Sequence, residues 1–160
     1  MELYILRHGE AQPRETGLAD GSRKLIAKGK RDVRAVVKLA RKAGLRPDLI
    51  LTSPLRRAAE TAAIAAGLCH CESVVETRSL LPGANPQAAW KEICALRDVQ
   101  QVVLAGHEPH LGHLIAFLLE AALMVDLKKG ALVRISTPGK SGPPRGVLNW
   151  MITPKVARGA

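Results

Sequence analysis

Charged and polar residues stand directly after three short apolar runs of the sequence. They are Arg7 and His8 after the run at 3–6, Ser53 and Arg57 after the run at 49–51, and Gly106 and His107 after the run at 102–105. Apolar runs of this length are typical of buried strands in a parallel sheet. Because the carboxyl ends of parallel strands meet at one edge, these residues are expected to form one site. Two arginines and two histidines there make a positive cleft.

Phosphate suits such a cleft. The planar guanidinium groups of Arg7 and Arg57 can each bind two phosphoryl oxygens at once. Gly9 has no side chain, so the backbone can approach a bound oxyanion closely. Cations beside His8 disfavour its protonated form, and a neutral imidazole is a good nucleophile near neutral pH. The pattern therefore indicates a phosphate-binding site with a histidine that could act as a nucleophile.

The elements around these residues alternate between strand and helix. Val74-Val75 predicts a short strand, and 131–135 and 147–152 predict two strands that pair antiparallel at a sheet edge. Helices are predicted over about 28–43, from Ser53-Pro54 to 66, from Asn85-Pro86 to 96, and from Pro109 to about 119. This order predicts an α/β fold, a three-layer α/β/α sandwich with a mostly parallel sheet and an antiparallel edge. No linker or repeat divides the chain, so 1–160 are predicted to form a single domain.

Composition narrows the functional classes. The chain of 160 residues is 47% hydrophobic and carries a formal net charge of +10, which favours acidic partners. Only 2% of it is aromatic, and no nucleic-acid-binding motif occurs, so a nucleic-acid partner is not expected. Many cations fall in and before the first predicted helix, which we interpret as a solvated face: Arg23, Lys24, Lys28, Lys30, Arg31, Arg34, Lys38, Arg41 and Lys42.

Cysteine usage and the chain start favour a cytoplasmic protein. The cysteine count of 3 is odd, and no signal peptide or membrane span is recognisable, so a reducing compartment is expected. Two sets contain residue types that bind metal ions, namely Cys69-His70-Cys71 with Cys94, and His107 with His110 and His113. The first lacks a Cys-x-x-Cys pair, and the second continues a helix with an apolar face, so neither is expected to bind metal.

Three motifs in order carry a resemblance to a known family. Leu6–Ala11 resembles the Arg-His-Gly signature of the histidine phosphatase superfamily, which includes the phosphoglycerate mutases. Thr52–Ala58 resembles its second motif, whose arginine just before the alanine contacts phosphate, which selects Arg57 rather than Arg56. Ala105-Gly106-His107 resembles the third motif, whose histidine closes the pocket. The similarity extends along nearly the whole chain, including Leu25–Gly29.

The small size and the ending, with Leu148-Asn149-Trp150 and Pro154, are similar to SixA-type protein phosphohistidine phosphatases. This resemblance implies a phosphoglycerate mutase-like fold, a monomer, and no metal or other cofactor. It implies that His8 is the nucleophile and becomes transiently phosphorylated. It also implies that Arg7, Arg57 and His107 bind the phosphoryl oxygens, with Gly9 beside them. The implied partner is a phosphohistidine-bearing protein, for example a histidine phosphotransfer domain.

A departure from the wider family favours that substrate. Members that cleave phosphoesters carry an acid after the second helix, but Arg78–Gly83 holds no carboxylate, and Glu76 is expected to lie too early. An alkoxide leaving group needs a proton, commonly worth about a hundred-fold or more in rate, whereas a leaving imidazole needs little help. Few residues between Leu81 and Val102 are left for a lid, so an open site is expected, although the loop at 11–24 could cover it.

Two other functions stay open on the sequence. One is a broad phosphomonoesterase on small esters, with Glu76 or the substrate itself supplying the proton. The other is a phosphate-recognition module without turnover. Several nearby residues are expected to be structural or peripheral: Glu10 and Glu108 as rim or capping residues, Ser53 as a helix cap, Arg56 as a surface charge, and Trp90 and Trp150 in packing. His110 is expected to be an ordinary residue of its helix, with a place at the rim of the site left open.

Overall fold

The computed structural model describes residues 1–14, 17 and 19–159. Within these residues one six-stranded sheet has the order β3-β2-β4-β1-β5-β6. The strands are β1 (Glu2–Arg7), β2 (Leu49–Thr52), β3 (Val74–Glu76), β4 (Gln101–Gly106), β5 (Leu132–Ser136) and β6 (Val147–Ile152). β1 to β4 run parallel, whereas β5 pairs antiparallel with β1 and β6 pairs antiparallel with β5. The predicted antiparallel edge is therefore confirmed.

Helices cover both faces of this sheet. They are α1 (Ala27–Lys42), α2 (Arg56–Cys69), α3 (Pro86–Ala95), α4 (His110–Leu118) and α5 (Pro154–Gly159). Short 3-10 turns occur at Asp20–Ser22 and Arg78–Leu80.

The core divides into two apolar clusters because successive side chains of a strand point to opposite faces. Leu3 and Ile5 of β1 pack in one cluster with α3 and α4. Tyr4 and Leu6 pack in the other cluster with α1 and α2. The prediction of a three-layer α/β/α sandwich is confirmed.

Two element boundaries differ from the prediction. Helix α2 begins at Arg56 rather than at Pro54, because Ser53 to Leu55 form a turn in which the Ser53 hydroxyl accepts the Leu55 N–H at 3.3 Å. Helix α5 was not predicted, since a helix of 6 residues is too short to show a periodic apolar pattern. Among the helices of the described residues, none has both the length and the apolar character needed to cross a membrane.

Candidate active site

The carboxyl ends of three neighbouring strands bring the predicted residues together. β1 lies beside β4, and β4 lies beside β2. The His8 amide donates to the Gly106 carbonyl at 3.0 Å, and the Ser53 amide donates to the Ala105 carbonyl at 3.0 Å. As a result the imidazole rings of His8 and His107 lie with their centroids 5.0 Å apart.

A cleft of about 400 Å³ opens at this edge of the sheet. Its lining includes the four residues that the sequence selected for catalysis, and it is strongly basic. The lining residues are Arg7, His8, Ala11, Gln12, Pro13, Arg14, Arg23, Arg57, Pro82, His107, Glu108 and Lys129. Five cations and one carboxyl among these described residues give the cleft a positive potential that suits an anion.

The His8 ring is held in one tautomer. It is 8% exposed, and its Nδ1 lies 2.7 Å from the carbonyl oxygen of Gly9. Because a carbonyl oxygen only accepts, Nδ1 must be the donor in this bond. Nε2 of the neutral ring therefore carries the lone pair. This is the state that a nucleophilic histidine requires.

Both site histidines are neutral near pH 7. Burial lowers the pKa of His8 to about 4, with the charges of Arg57, Arg7 and Lys129 acting in the same direction. Burial likewise lowers the pKa of His107 to about 3, helped by His8 and Arg57. The hydrogen bond from His8 to the Gly9 carbonyl raises the pKa of His8, but this effect is smaller than the lowering by burial.

These pKa values predict an NMR titration of the free protein. The midpoints of His8 and His107 should lie near 4 and 3, below the ordinary value of 6.5. The unfolded chain then binds more protons than the folded one below pH 6.5, so the free energy of unfolding should fall as the pH drops toward 4. A midpoint at or above 6 for His8 would contradict this electrostatic description.

The two arginines are fixed by backbone and acidic partners. Arg57 is 3% exposed, and it donates to the Asp20 carbonyl oxygen at 2.9 Å and to Asp20 Oδ2 at 3.1 Å. Arg7 donates to the Leu127 carbonyl oxygen at 2.6 Å. Burial lowers the pKa of each guanidinium from its usual value. The Nε atoms of both arginines are buried without a partner in the described part of the chain.

Asp20 joins the loop at 11–24 to the cleft. Besides Arg57, its carboxylate contacts Arg14 at 3.1 Å and Arg23 at 2.8 Å. Arg23 also donates to the Gln12 carbonyl at 2.8 Å. Residues of this loop thus form part of the cleft wall, as the sequence left open, while 15, 16 and 18 lie outside the described residues.

His107 is oriented by a residue that we expected only to cap a helix. It is 1% exposed, and its Nε2 lies 2.8 Å from Ser53 Oγ. Its Nδ1 is buried without a partner among the described residues. The cap prediction for Ser53 missed this bond because sequence spacing does not show which hydroxyl faces which ring.

Close packing requires a glycine at position 9, which the sequence did not reveal. Its amide donates to Thr61 Oγ1 at 3.1 Å, and its carbonyl accepts from His8. A Cβ at Gly9 would lie 2.8 Å from the Gly29 carbonyl oxygen, because the first turn of α1 packs directly on this segment. Packing therefore gives a further reason for glycine at this position, and the Gly9 carbonyl positions the His8 ring. Substrate binding at Gly9 stays a prediction.

Lys129 is a cleft residue that sequence reasoning missed. It lines the cleft and contributes to the lowered pKa of His8. The amide of the next residue, Gly130, donates to the carbonyls of Arg7 and His8 at 3.2 and 3.0 Å. The available signal was Lys128-Lys129-Gly130, which precedes β5 by one residue. A strand antiparallel to β1 begins at the end of the sheet where β1 finishes, so residues just before β5 lie near the cleft.

The remaining candidates are peripheral or capping residues. Glu108 lines the cleft, and its Oε2 accepts the Gly112 amide of α4 at 3.3 Å, as expected for a cap. Arg56 is exposed and pairs with Glu60. Glu76 is exposed at the end of β3. His110 is fully buried and outside the lining of the cleft, so it does not take the rim position that the sequence left open.

Neither sequence-suggested metal set forms a site in the structure. Within the described ranges, no three His, Cys, Asp or Glu side chains are placed to hold a metal ion. Cys69, Cys71 and Cys94 are free thiols, each half-buried. The absence of a cofactor stays a prediction.

Comparison with known proteins finds similar sequences. A family model described as the histidine phosphatase superfamily, branch 1, matches residues 3–80. An uncharacterized protein of Picosynechococcus sp. strain PCC 7002 is 38% identical over 114 residues, which cover 70% of this chain and 69% of that protein.

Solved structures show the same fold over almost the full chain. The protein histidine phosphatase SixA complexed with tungstate has a TM-score of 0.84 at 25% identity, covering 97% of this chain and 98% of that one. A putative phosphohistidine phosphatase SixA from Agrobacterium tumefaciens has a TM-score of 0.81 at 24% identity, covering 95% and 97%. The predicted phosphoglycerate mutase-like fold is confirmed. The chain therefore belongs to the histidine phosphatase superfamily.

Proposed function

We propose that this phosphatase removes phosphate from histidine residues of a partner protein through a phospho-His8 intermediate. The observation that carries the proposal is the His8 ring, which is neutral, buried and held with a free Nε2 beside Arg7 and Arg57. The likeness to SixA, a protein histidine phosphatase, supports the same substrate class.

In the first step, the lone pair of His8 Nε2 attacks phosphorus, and the P–N bond to the substrate histidine breaks. The electron pair of that bond goes to the leaving imidazole. Charge spreads over the equatorial oxygens of the transferring group, where fixed cations stabilise it. Arg7 and Arg57 supply those cations. Their unpartnered buried Nε atoms are donors that an anion with several oxygens would satisfy.

His107 supplies a further donor in this proposal. If Ser53 donates its hydroxyl hydrogen to Nε2, the proton of the neutral ring resides on Nδ1. Nδ1 is the ring atom without a partner in the described structure, so it is free to bind a phosphoryl oxygen. Ser53 is thus a positioning residue that sets the tautomer of His107.

In the second step, a water oxygen attacks the phosphorus of phospho-His8. The P–N bond breaks, its electron pair returns to Nε2, the proton lost by the water passes to solvent, and inorganic phosphate leaves. The same cations stabilise this transition state, because the phosphoryl group occupies the same position. The first step exchanges one P–N bond for another, and the second exchanges a P–N bond for a P–O bond to water. Neither step changes an oxidation state.

The scarcity of carboxyls favours phosphohistidine over a phosphoester. Pro82 lines the cleft in the segment where an acid was sought, and Glu76 lies exposed at the sheet edge. Among the described residues that line the cleft, Glu108 is the one with a carboxyl group. Burial raises its pKa, but its Oε2 is engaged by the Gly112 amide. A leaving imidazole needs little general-acid help, so this cleft suits it.

The second candidate function is a phosphomonoesterase for small esters. Its supporting observation is the raised pKa of Glu108, because a carboxyl that stays protonated at higher pH can donate a proton to a leaving alkoxide. In this function Glu108 replaces the acid that the sequence sought at Glu76.

Substrate comparison with acid variants separates the two functions. We expect kcat/KM for a phosphohistidine peptide to exceed that for a sugar phosphate by about a hundred-fold or more. Glu108→Gln should change the phosphohistidine rate by less than about threefold, with Glu76→Gln as the matched control. Similar rates on both substrates, together with a large loss of ester turnover in Glu108→Gln only, would establish the esterase instead.

The cellular setting belongs to the proposal as well. Five points remain predictions from the sequence and its resemblance to the family. They are a phosphohistidine-bearing protein as partner, a cytoplasmic location, a monomeric state, activity without a metal ion, and no nucleic-acid partner. Phosphatase assays with and without a chelator test the metal independence directly.

A further inference from the structure

Basic side chains beside the catalytic cleft form a groove that the proposed steps do not use. The groove has a volume of about 560 Å³ and shares Arg7 and Lys129 with the cleft. Residues of α1 and α5 line it, including Lys28, Lys155 and Arg158. It therefore extends the active site along one side of the molecule.

The carboxylates of this groove are already neutralised. Each pairs with a cation of the same groove: Glu10 with Lys28, Asp32 with Lys28 and Arg158, and Asp126 with Lys128. Lys129 and Lys155 are exposed and form no ion pair within the described part of the chain. Their charge is available to an external partner.

A second groove of about 390 Å³ continues along α1. It is lined by Arg31, Arg34, Lys38 and Lys42, with Ala157 of α5 beside them. These four cations are exposed, and none has an ion-pair partner among the residues that the structure describes. They stand three or four positions apart on one helix face, over a length of roughly 17 Å. The face interpreted as solvated in the sequence is therefore one wall of a groove.

We propose that these exposed cations form the docking surface for an acidic face of the phosphohistidine-bearing protein. The surface, here called the basic strip, consists of Arg31, Arg34, Lys38, Lys42, Lys129 and Lys155. This docking surface rests on the proposed function and explains how the enzyme selects its substrate protein. Complementary charge speeds association and fixes register.

Continuity with the catalytic cleft favours a protein substrate over nucleic acid. Lys129 belongs both to the strip and to the cleft that holds His8, so a partner seated on the strip presents its phosphorylated side chain to the nucleophile. A single-stranded nucleic-acid surface normally adds aromatic side chains for base stacking, and this chain is only 2% aromatic.

The test uses two synthetic peptides, each with one phosphohistidine. One has a run of Glu and Asp at about four to ten residues from the phosphohistidine, and the other has Ser and Gln there. Seven extended residues span about 23 Å, enough to follow the strip. At ~50 mM salt we expect kcat/KM to be about tenfold higher for the acidic peptide, and at ~0.5 M salt the preference should vanish.

Charge-reversal variants locate the preference. Arg34→Glu with Lys38→Glu should bring the peptide ratio to about one and leave turnover of the neutral peptide within about threefold. Lys91→Glu with Arg97→Glu is the matched control, because both residues are exposed, lie in or next to α3 on the opposite face of the sheet, and change the net charge equally.

The outcomes separate docking from chemistry. An equal rate for both peptides at low salt, or a loss of preference in the Lys91 and Arg97 control, overturns the docking surface while leaving the proposed function intact. Hydrolysis of neither peptide overturns the proposed function, and the docking inference falls with it. Competition by a short DNA duplex at lower concentration than the unphosphorylated acidic peptide reassigns the strip to nucleic acid.

Discussion

Replacement of His8 by alanine should lower kcat on phosphohistidine by about 10⁴-fold or more, because no other nucleophile lies in its place. Affinity for inorganic phosphate should persist within a few-fold, since Arg7, Arg57 and His107 line the cleft independently. Rapid kinetics and calorimetric phosphate binding measure the two quantities. Loss of turnover with retained binding is the signature of a missing nucleophile rather than of a collapsed site.

His113→Ala is the matched control for that variant. His113 is exposed on α4, outside the lining of the cleft, so its loss should leave kcat within about twofold. Unchanged turnover in His8→Ala would refute the assigned nucleophile. Absence of turnover in the wild-type protein, with phosphate binding intact, would instead support the phosphate-recognition module that the sequence left open.

Replacement of Arg57 by alanine should lower kcat/KM by about 10²–10³-fold, the usual cost of removing one transition-state donor. Arg57→Lys should recover only part of this loss, because an ammonium cannot reproduce the planar fork. The side chain is almost fully buried and joined to Asp20, so thermal unfolding of each variant is measured beside its activity.

The adjacent arginine makes a strict comparison. Arg56 is exposed, pairs with Glu60 and lies outside the lining of the cleft. Arg56→Ala should therefore change kcat/KM by less than about threefold. If Arg56→Ala were as damaging as Arg57→Ala, the choice of Arg57 as the phosphate-contacting residue would be wrong.

The sequence was sufficient for the architecture because apolar runs and helical spacing report burial locally. The runs at 3–6, 49–51 and 102–105 became the three central parallel strands. Since polar residues at the ends of adjacent parallel strands must meet, the grouping of His8 and His107 followed from the same pattern. Helix α5 was not predicted because it is too short to show a periodic apolar pattern.

The finer contacts depended on side-chain directions and on strand neighbours that spacing does not encode. These contacts join residues that are far apart in the sequence or in different elements. They are the bond between Ser53 and His107, the contacts of Asp20 with three arginines, and the position of Lys129 in the cleft. For Gly9 the structure adds a packing reason that the sequence did not show, while its substrate-binding role stays a prediction. Only the packing of α1 shows that a Cβ there would strike the Gly29 carbonyl.

In the proposed mechanism the His8 imidazole carries the phosphoryl group during turnover. The most direct measurement mixes the protein with a ³²P-labelled phosphohistidine peptide, quenches within milliseconds in alkaline denaturant, and locates the label by proteolysis and mass spectrometry. We predict one phosphate per chain on the peptide containing His8, stable in alkali, labile in acid, and absent from His8→Ala. Label on any other residue, or active turnover with no labelled protein at any quench time, would contradict the mechanism.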